Sequence, residues 1–259
     1  MLHLNKLALS AFFLIALILL WLIYPVSGVP ILAYHMINND EEIYSVSPAD
    51  FDKQMKYLAQ KGYTAISLAE LMDAREGKSE LPQKPIIISF DDGYDDNLLT
   101  AVPIMEKYGL KATVFVISGS VGQPNYLTWE QVRELQARRT EIGSHTSNHV
   151  ALGELNLQDR QFEVVNSKAV LEEHLGTPVE FLAYPYGSYD AAMPEVLRQA
   201  GYRGACTGLP GLNKYIAQGE PTPASNYLLK RVNVPQPKYG LWEFRLRLIR
   251  AEVYSKLGI

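Results

Sequence analysis

The stretch Pro85-Ile86-Ile87-Ile88-Ser89-Phe90 stops abruptly at Asp91-Asp92-Gly93. A continuous apolar run with β-branched residues suits a strand covered on both faces, and strands of that kind belong to parallel sheets whose crossovers are helices. The rest of the chain alternates to match. Strands are expected at Pro30 to His35, Tyr63 to Ile66, Ala112 to Ile117, Glu141 to Ser144, Glu180 to Tyr184, Tyr202 to Cys206 and Leu229 to Val234. Between them the spacing of apolar residues predicts helices, among them Asn97 to Tyr108, Thr128 to Arg138, Leu157 to Leu175, Ala191 to Ala200 and Leu241 to Leu257. Ser47 with Asp50, and Thr128 with Gln131, have the spacing of capping boxes. Gly176 and Pro178 close the long helix. Repeated βα units imply a parallel sheet, open or closed into a barrel. In either form, polar residues at the C-terminal ends of strands are the first candidates for chemistry.

One segment stands apart from this alternation. Leu7 to Val26 is twenty residues long, with Ser10 its only clearly polar member. As a helix it would cross about 30 Å of hydrocarbon. It therefore reads as a membrane anchor or, if Val26-Ser27-Gly28 is cleaved, as a signal segment. Lys6 precedes it and no Lys or Arg follows before Lys53, which puts the body outside the cytoplasm, in the periplasm or at the cell surface. Residues 1–28 are thus set apart from a single body at 29–259. That body keeps 23 basic residues against 28 acidic ones, so nucleic acid is not an expected partner. The one cysteine, Cys206, excludes a disulfide scaffold. It falls in a strand candidate, where a buried inert thiol is expected.

Three strand ends hold reactive residues. Asp91 and Asp92 place two carboxylates side by side behind a buried strand, an arrangement that calls for a compensating cation. His145 and His149 are four residues apart, and on a helical turn they would share a face and could bind one metal ion. A carboxylate added to them makes a two-His, one-carboxylate site with open positions. In Ala183-Tyr184-Pro185-Tyr186-Gly187, Pro and Gly fix a tight turn that can aim a backbone N–H at a developing oxyanion.

Taken together, Ser89 to Gly93, His145 to His149 and Tyr184 to Gly187 resemble the first three motifs of the carbohydrate esterase family 4 polysaccharide deacetylases, the NodB-homology domain. The first two are specific when they occur in this order about fifty residues apart. The resemblance covers roughly residues 30 to 234. It implies an α/β fold, a distorted (β/α) barrel with fewer than eight strands. It also implies one divalent metal ion, usually zinc, and removal of acetyl groups from a glycan polymer. By the same resemblance, Asp92, His145 and His149 would be the metal ligands and Asp91 the general base. The N–H of Tyr186 would help hold the oxyanion.

The chain also departs from that pattern. Ala183 stands where the third motif usually begins with Arg, and no His follows His174 to act as the usual general acid. Ile31-Leu32-Ala33-Tyr34-His35 resembles the N-terminal Tyr-His segment of exported poly-β-1,6-N-acetylglucosamine deacetylases, whose barrel looks circularly permuted. His35 is accordingly expected to protonate the leaving amine. Arg231 lies in an apolar strand candidate, needs an acidic partner if buried, and is expected to pair with Asp91.

The expected activity is metal-dependent N-deacetylation of an N-acetylglucosamine polysaccharide, with the β-1,6 polymer first and peptidoglycan or an O-acetylated glycan as rivals. A non-catalytic, anchored glycan-binding module is the reading from another class. Tyr94, Tyr126, Trp129, Tyr184 and Tyr189 are available to stack on sugar rings. Trp242, Leu246, Ile249 and Val253 form an apolar stripe on the last helix, with Arg245, Arg247 and Arg250 off it. Packing of that stripe on the barrel is expected; contact with an anionic membrane surface is the alternative.

Overall fold

The structure is a computed structural model that describes residues 12–13, 28–214 and 223–258. The anchor expected at 7–26 falls almost wholly outside the described residues. Among those described, no helix is long and apolar enough to cross a membrane.

The described strands are β1 (Ile31–Tyr34), β2 (Thr64–Ala65), β3 (Pro85–Phe90), β4 (Thr113–Val116), β5 (Glu141–Ser144), β6 (Phe181–Ala183), β7 (Gly204–Cys206) and β8 (Val232–Asn233). Their order is β7-β6-β5-β4-β3-β1-β8, with β2 paired only to β3, and every pairing is parallel. Leu229, just before β8, makes a parallel bridge to Cys206. Its N–H donates to Ala205 O at 2.9 Å, and its carbonyl accepts from Thr207 N at 2.8 Å. Residues 229–233 thus touch β7 at one end and β1 at the other, and they draw the two edges of the sheet together. This fits the expected distorted barrel. The strand count needs correction, because seven strands lie along the sheet and β2 makes an eighth. β2 is two residues long and meets β3 at Pro85 and Ile86, before the stretch of β3 at Ser89 and Phe90 that pairs with β4.

Side chains alternate across the strands as a two-residue period requires. Ile31, Ile87, Phe115, Phe181, Ala183 and Cys206 meet in one buried cluster. Leu32, Ile88, Val114, Leu182 and Ala205 join the other, which packs against the surrounding helices. The helices are α1 (Pro48–Gln60), α2 (Leu68–Arg75), α3 (Val102–Glu106), α4 (Trp129–Ala137), α5 (Leu157–Leu175), α6 (Met193–Gln199) and α7 (Leu241–Leu257). Leu68, Leu71 and Met72 of α2 join the first cluster, inside the barrel. Half-buried Glu141, at the start of β5, accepts hydrogen bonds from the N–H groups of Leu68 and Ala69 and so caps α2 from across the sheet.

Most caps form where the sequence puts them. Thr128 and Gln131 make both arms of a capping box, Ser47 accepts from Asp50 N, and Gly176 ends α5 in the left-handed region. Two expectations change. The helix expected from Asn97 to Tyr108 begins as a π-helical turn over Asn97–Ala101 and continues as α3. Pro103 has no N–H to offer the preceding turn, and Asn97 is held by its side chain, which donates to His35 O at 2.8 Å. On α7, the stripe expected to pack on the barrel faces out. Phe244, Leu248 and Ala251 are buried instead, with Phe244 edge-on to Tyr57 of α1, while Trp242 is 58% and Ile249 54% exposed. Two apolar faces share this helix, and periodicity alone does not say which one meets the core.

Candidate active site

The ends of β1, β3, β5, β6, β7 and β8 converge on one cleft of about 390 Å³, lined by His35, Asp91, Asp92, His145, His149, Tyr186 and Arg231 among others. All seven residues singled out in the sequence therefore face a common space.

Asp92 follows β3 in a left-handed conformation (φ 74°). Its Oδ1 lies 3.4 Å from His145 Nε2 and 3.3 Å from His149 Nε2. His145 Nδ1 is 2.8 Å from Ala183 O, and a carbonyl can only accept, so Nδ1 carries the proton. The Nε2 lone pair of the neutral ring is then aimed at a carboxylate oxygen. That oxygen is buried and has no hydrogen-bond partner. Two acceptors pointed at each other call for a cation between them. The three donor atoms lie within 4.8 Å of one another, so the residues present fit a divalent metal ion. Burial reinforces this. It lowers His145 to about 4 and also lowers His149, keeping both imidazoles neutral, as ligands must be. Burial first, and then the neighbouring Asp91, raise Asp92 to about 6.

The two histidines do not sit on a helical turn as expected. Residues 145–150 are a loop, with Thr146 (φ 67°) and His149 (φ 54°) in the left-handed region. Side chains fix this shape. Ser144 Oγ accepts from Thr146 N, Thr146 Oγ1 accepts from His149 N, and the Glu163 carboxylate of α5 accepts from Ser147 N, Asn148 N and Asn148 Nδ2. Glu163 is buried, and sequence reading missed it. Its signal was present, since it occupies the α5 face that also buries Val164, Ser167 and Leu171, where a carboxylate needs donors.

Across the cleft, Arg231 Nη1 donates to Asp91 Oδ1 at 2.7 Å, with both side chains buried. Arg231 Nε donates to Thr207 O at 2.9 Å. Arg231 lies immediately before β8 rather than inside a longer strand. Burial would raise the Asp91 carboxyl, but the Arg231 charge and hydrogen bond outweigh it and hold the group well below the ordinary carboxylate range. Asp91 Oδ2 is left facing the cleft, 4.0 Å from His35 Nε2. His35 stacks on Tyr44, with ring centroids 4.6 Å apart. Asp96, which follows in the same acidic stretch, accepts from Ile37 N and Asn38 Nδ2.

Tyr186 sits at φ 57°, three-quarters exposed, with its ring 4.6 Å from that of His149. The turn is held tight because Gly187 approaches the loop after β7 so closely that a Cβ there would meet Gly208 N at 3.0 Å. Of the aromatics suggested for sugar stacking, Tyr184 lines the cleft but is fully buried, and Trp129 stacks on His174.

Comparison with known proteins agrees with this geometry. Residues 78–205 match the polysaccharide deacetylase family. YxkH of Bacillus subtilis (strain 168), which carries a polysaccharide deacetylase name, is 35% identical over 184 residues, 70% of this chain and 65% of its own. The poly-β-1,6-N-acetyl-D-glucosamine N-deacetylase of Escherichia coli (strain K12) is 24% identical over 225 residues, 69% of this chain and 34% of its own. The chain thus spans less than two thirds of either relative's length. Among solved structures, the Streptococcus pyogenes deacetylase PplD in complex with acetate superposes with a TM-score of 0.76 at 26% identity, covering 88% of this chain and 99% of PplD.

Proposed function

The chain carries a polysaccharide deacetylase domain of the NodB-homology type, and from that premise we propose that it removes N-acetyl groups hydrolytically from an N-acetylglucosamine polymer, poly-β-1,6-N-acetylglucosamine, outside the cytoplasm. The observation that carries this reading is the facing of the Asp92–His145–His149 cradle and the His35–Asp91–Arg231 group across one cleft. The β-1,6 polymer is supported by the similarity to the E. coli enzyme and by His35 at the end of the first strand.

A divalent cation, zinc by its donor set, would be held by Asp92, His145 and His149 and would polarise the acetyl carbonyl and acidify a water. Asp91 takes the water proton at Oδ2, because Oδ1 is bound to Arg231. Arg231 keeps that carboxylate ionised and fixes its orientation. The Tyr186 N–H would help hold the oxyanion. His35 Nε2 delivers the proton that turns the leaving amine into a good leaving group. Residues 7–26 anchor the body to the membrane, so the enzyme meets its polymer at the cell surface or in the periplasm.

The test is acetate release by the metal-loaded full chain from β-1,6 and β-1,4 N-acetylglucosamine oligomers and from peptidoglycan. Release from the β-1,6 oligomer above the other two is expected. Release from peptidoglycan alone would correct the polymer. Tight glycan binding with no acetate from any of them would replace the enzyme with a binding module.

A further inference from the structure

The face that α7 turns to solvent is as ordered as the face it buries. Trp242, Leu246, Ile249 and Leu257 are each between 42% and 58% exposed, and Val253 completes the row. At about 100° per residue these five fall on one stripe diametrically opposite Phe244, Leu248 and Ala251. Basic residues border the stripe on both sides, with Arg245 and Lys256 along one edge and Arg250 along the other. Tyr239, 74% exposed and edge-on to Trp242, adds an aromatic at the N-terminal end. The helix carries four basic residues and two acidic ones within a body that is net acidic.

A second observation gives this face a direction. The described body begins at Gly28, directly after the apolar run 7–26. Val29 pairs with Asn213, and Leu212 N donates to Ser255 Oγ of α7 at 2.7 Å. The chain therefore leaves the apolar run alongside the C-terminal part of α7.

We propose that α7 is an interfacial helix, its outward stripe seated among the acyl chains and headgroups of an anionic bilayer. Tryptophan and tyrosine suit that boundary, and arginines at the edges of the stripe reach back to lipid phosphates. A second copy of this chain is a poorer occupant, because pairing the stripe with itself would bring its basic borders together. The proposal rests on the anchor in the function proposed above and adds that the catalytic body lies against the membrane rather than swinging free of it.

Cys206 is fully buried in β7, so a thiol introduced on the surface can be labelled selectively. Ile249→Cys in the full chain carries a nitroxide on the stripe, and Phe162→Cys carries one on an exposed apolar position of α5. Both are placed in vesicles of phosphatidylglycerol and phosphatidylcholine. Flotation reports the anchor, and accessibility to oxygen and to a water-soluble nickel chelate reports the helix. The expected result is a severalfold fall in nickel accessibility at 249 with a rise in oxygen accessibility, no change at 162, and loss of most of the protection in Arg245→Glu/Arg250→Glu. Equal nickel accessibility at both positions in floated protein would overturn the helix assignment alone. So would protection at 249 accompanied by spin–spin broadening that vanishes on dilution with unlabelled chain. Failure to float overturns the anchor and, with it, the proposal.

Discussion

The two walls of the cleft are built by opposite strategies. The cradle of Asp92, His145 and His149 comes from β3 and β5, which flank β4, and the histidine loop is held by its own hydrogen bonds together with those to Glu163 of α5. The facing wall of His35, Asp91 and Arg231 is assembled where the first and last strands meet, and its central ion pair joins residues 140 positions apart. A local cradle tolerates imperfection elsewhere in the fold. A wall made at the seam exists only when the barrel closes. Metal affinity and proton transfer should therefore respond to different mutations.

The sharpest break of that contrast is Asp92→Ala. It removes the one carboxylate of the cradle, and acetate release should fall by about a thousandfold or more, some 4 kcal/mol on the barrier, together with bound metal measured by elemental analysis. A variant that keeps metal and turnover would remove the cradle from the chemistry. Next comes Arg231→Met, which strands a buried carboxylate and is expected to cost about 3–5 kcal/mol of stability at pH 7, by urea denaturation in the presence of chelator. The sign with pH follows from Asp91. Its folded value is depressed below about 3.9, so the pair's contribution is complete above that pH and is lost as pH falls through the folded value. The gap between wild type and Arg231→Met should accordingly narrow on acidification, and a gap that widens would contradict the pairing.

His35→Ala should lower turnover by about a hundredfold while leaving metal content unchanged. Wild-type turnover in that variant would take proton delivery away from the seam. The smallest effect belongs to Glu163→Gln. One carboxylate oxygen accepts from two backbone N–H groups and the other from the Asn148 amide; an amide side chain cannot reproduce all three. Metal affinity should drop by about tenfold through loosening of the histidine loop, with turnover at saturating metal nearly intact. An unchanged affinity, read by competition with a chelating dye, would mean that the loop holds its shape without Glu163.

The sequence made the cradle legible for the same reason that makes it local. Asp91-Asp92-Gly93 and the histidine pair are short strings that keep their meaning wherever the chain carries them. The β strands were legible too, because apolar runs such as 85–90 have no other stable use. What escaped reading was whatever depends on a distant partner. The histidines could be paired but their loop could not be drawn, since its shape is imposed by Glu163 from α5. The same holds for α7, where two apolar faces compete and the winner is decided by Tyr57 on α1. Arg231 is the instructive intermediate. Its need for an acid was visible in its apolar surroundings, and the structure supplies Asp91.

The bridge between Cys206 and Leu229 brings the two edges of the sheet together, and Arg231 lies two residues beyond it. The contacts that follow from it, Arg231 with Asp91 across 140 positions and β8 with β1, are of long sequence separation, so they carry a large loop-closure cost and form slowly. A chain arrested before that step can already own its histidine loop, yet Asp91, the proposed base, still lacks the Arg231 partner that orients it. Such an intermediate would be able to capture a cation and unable to hydrolyse anything, so maturation would proceed from a metal-binding particle to an enzyme in a single late event.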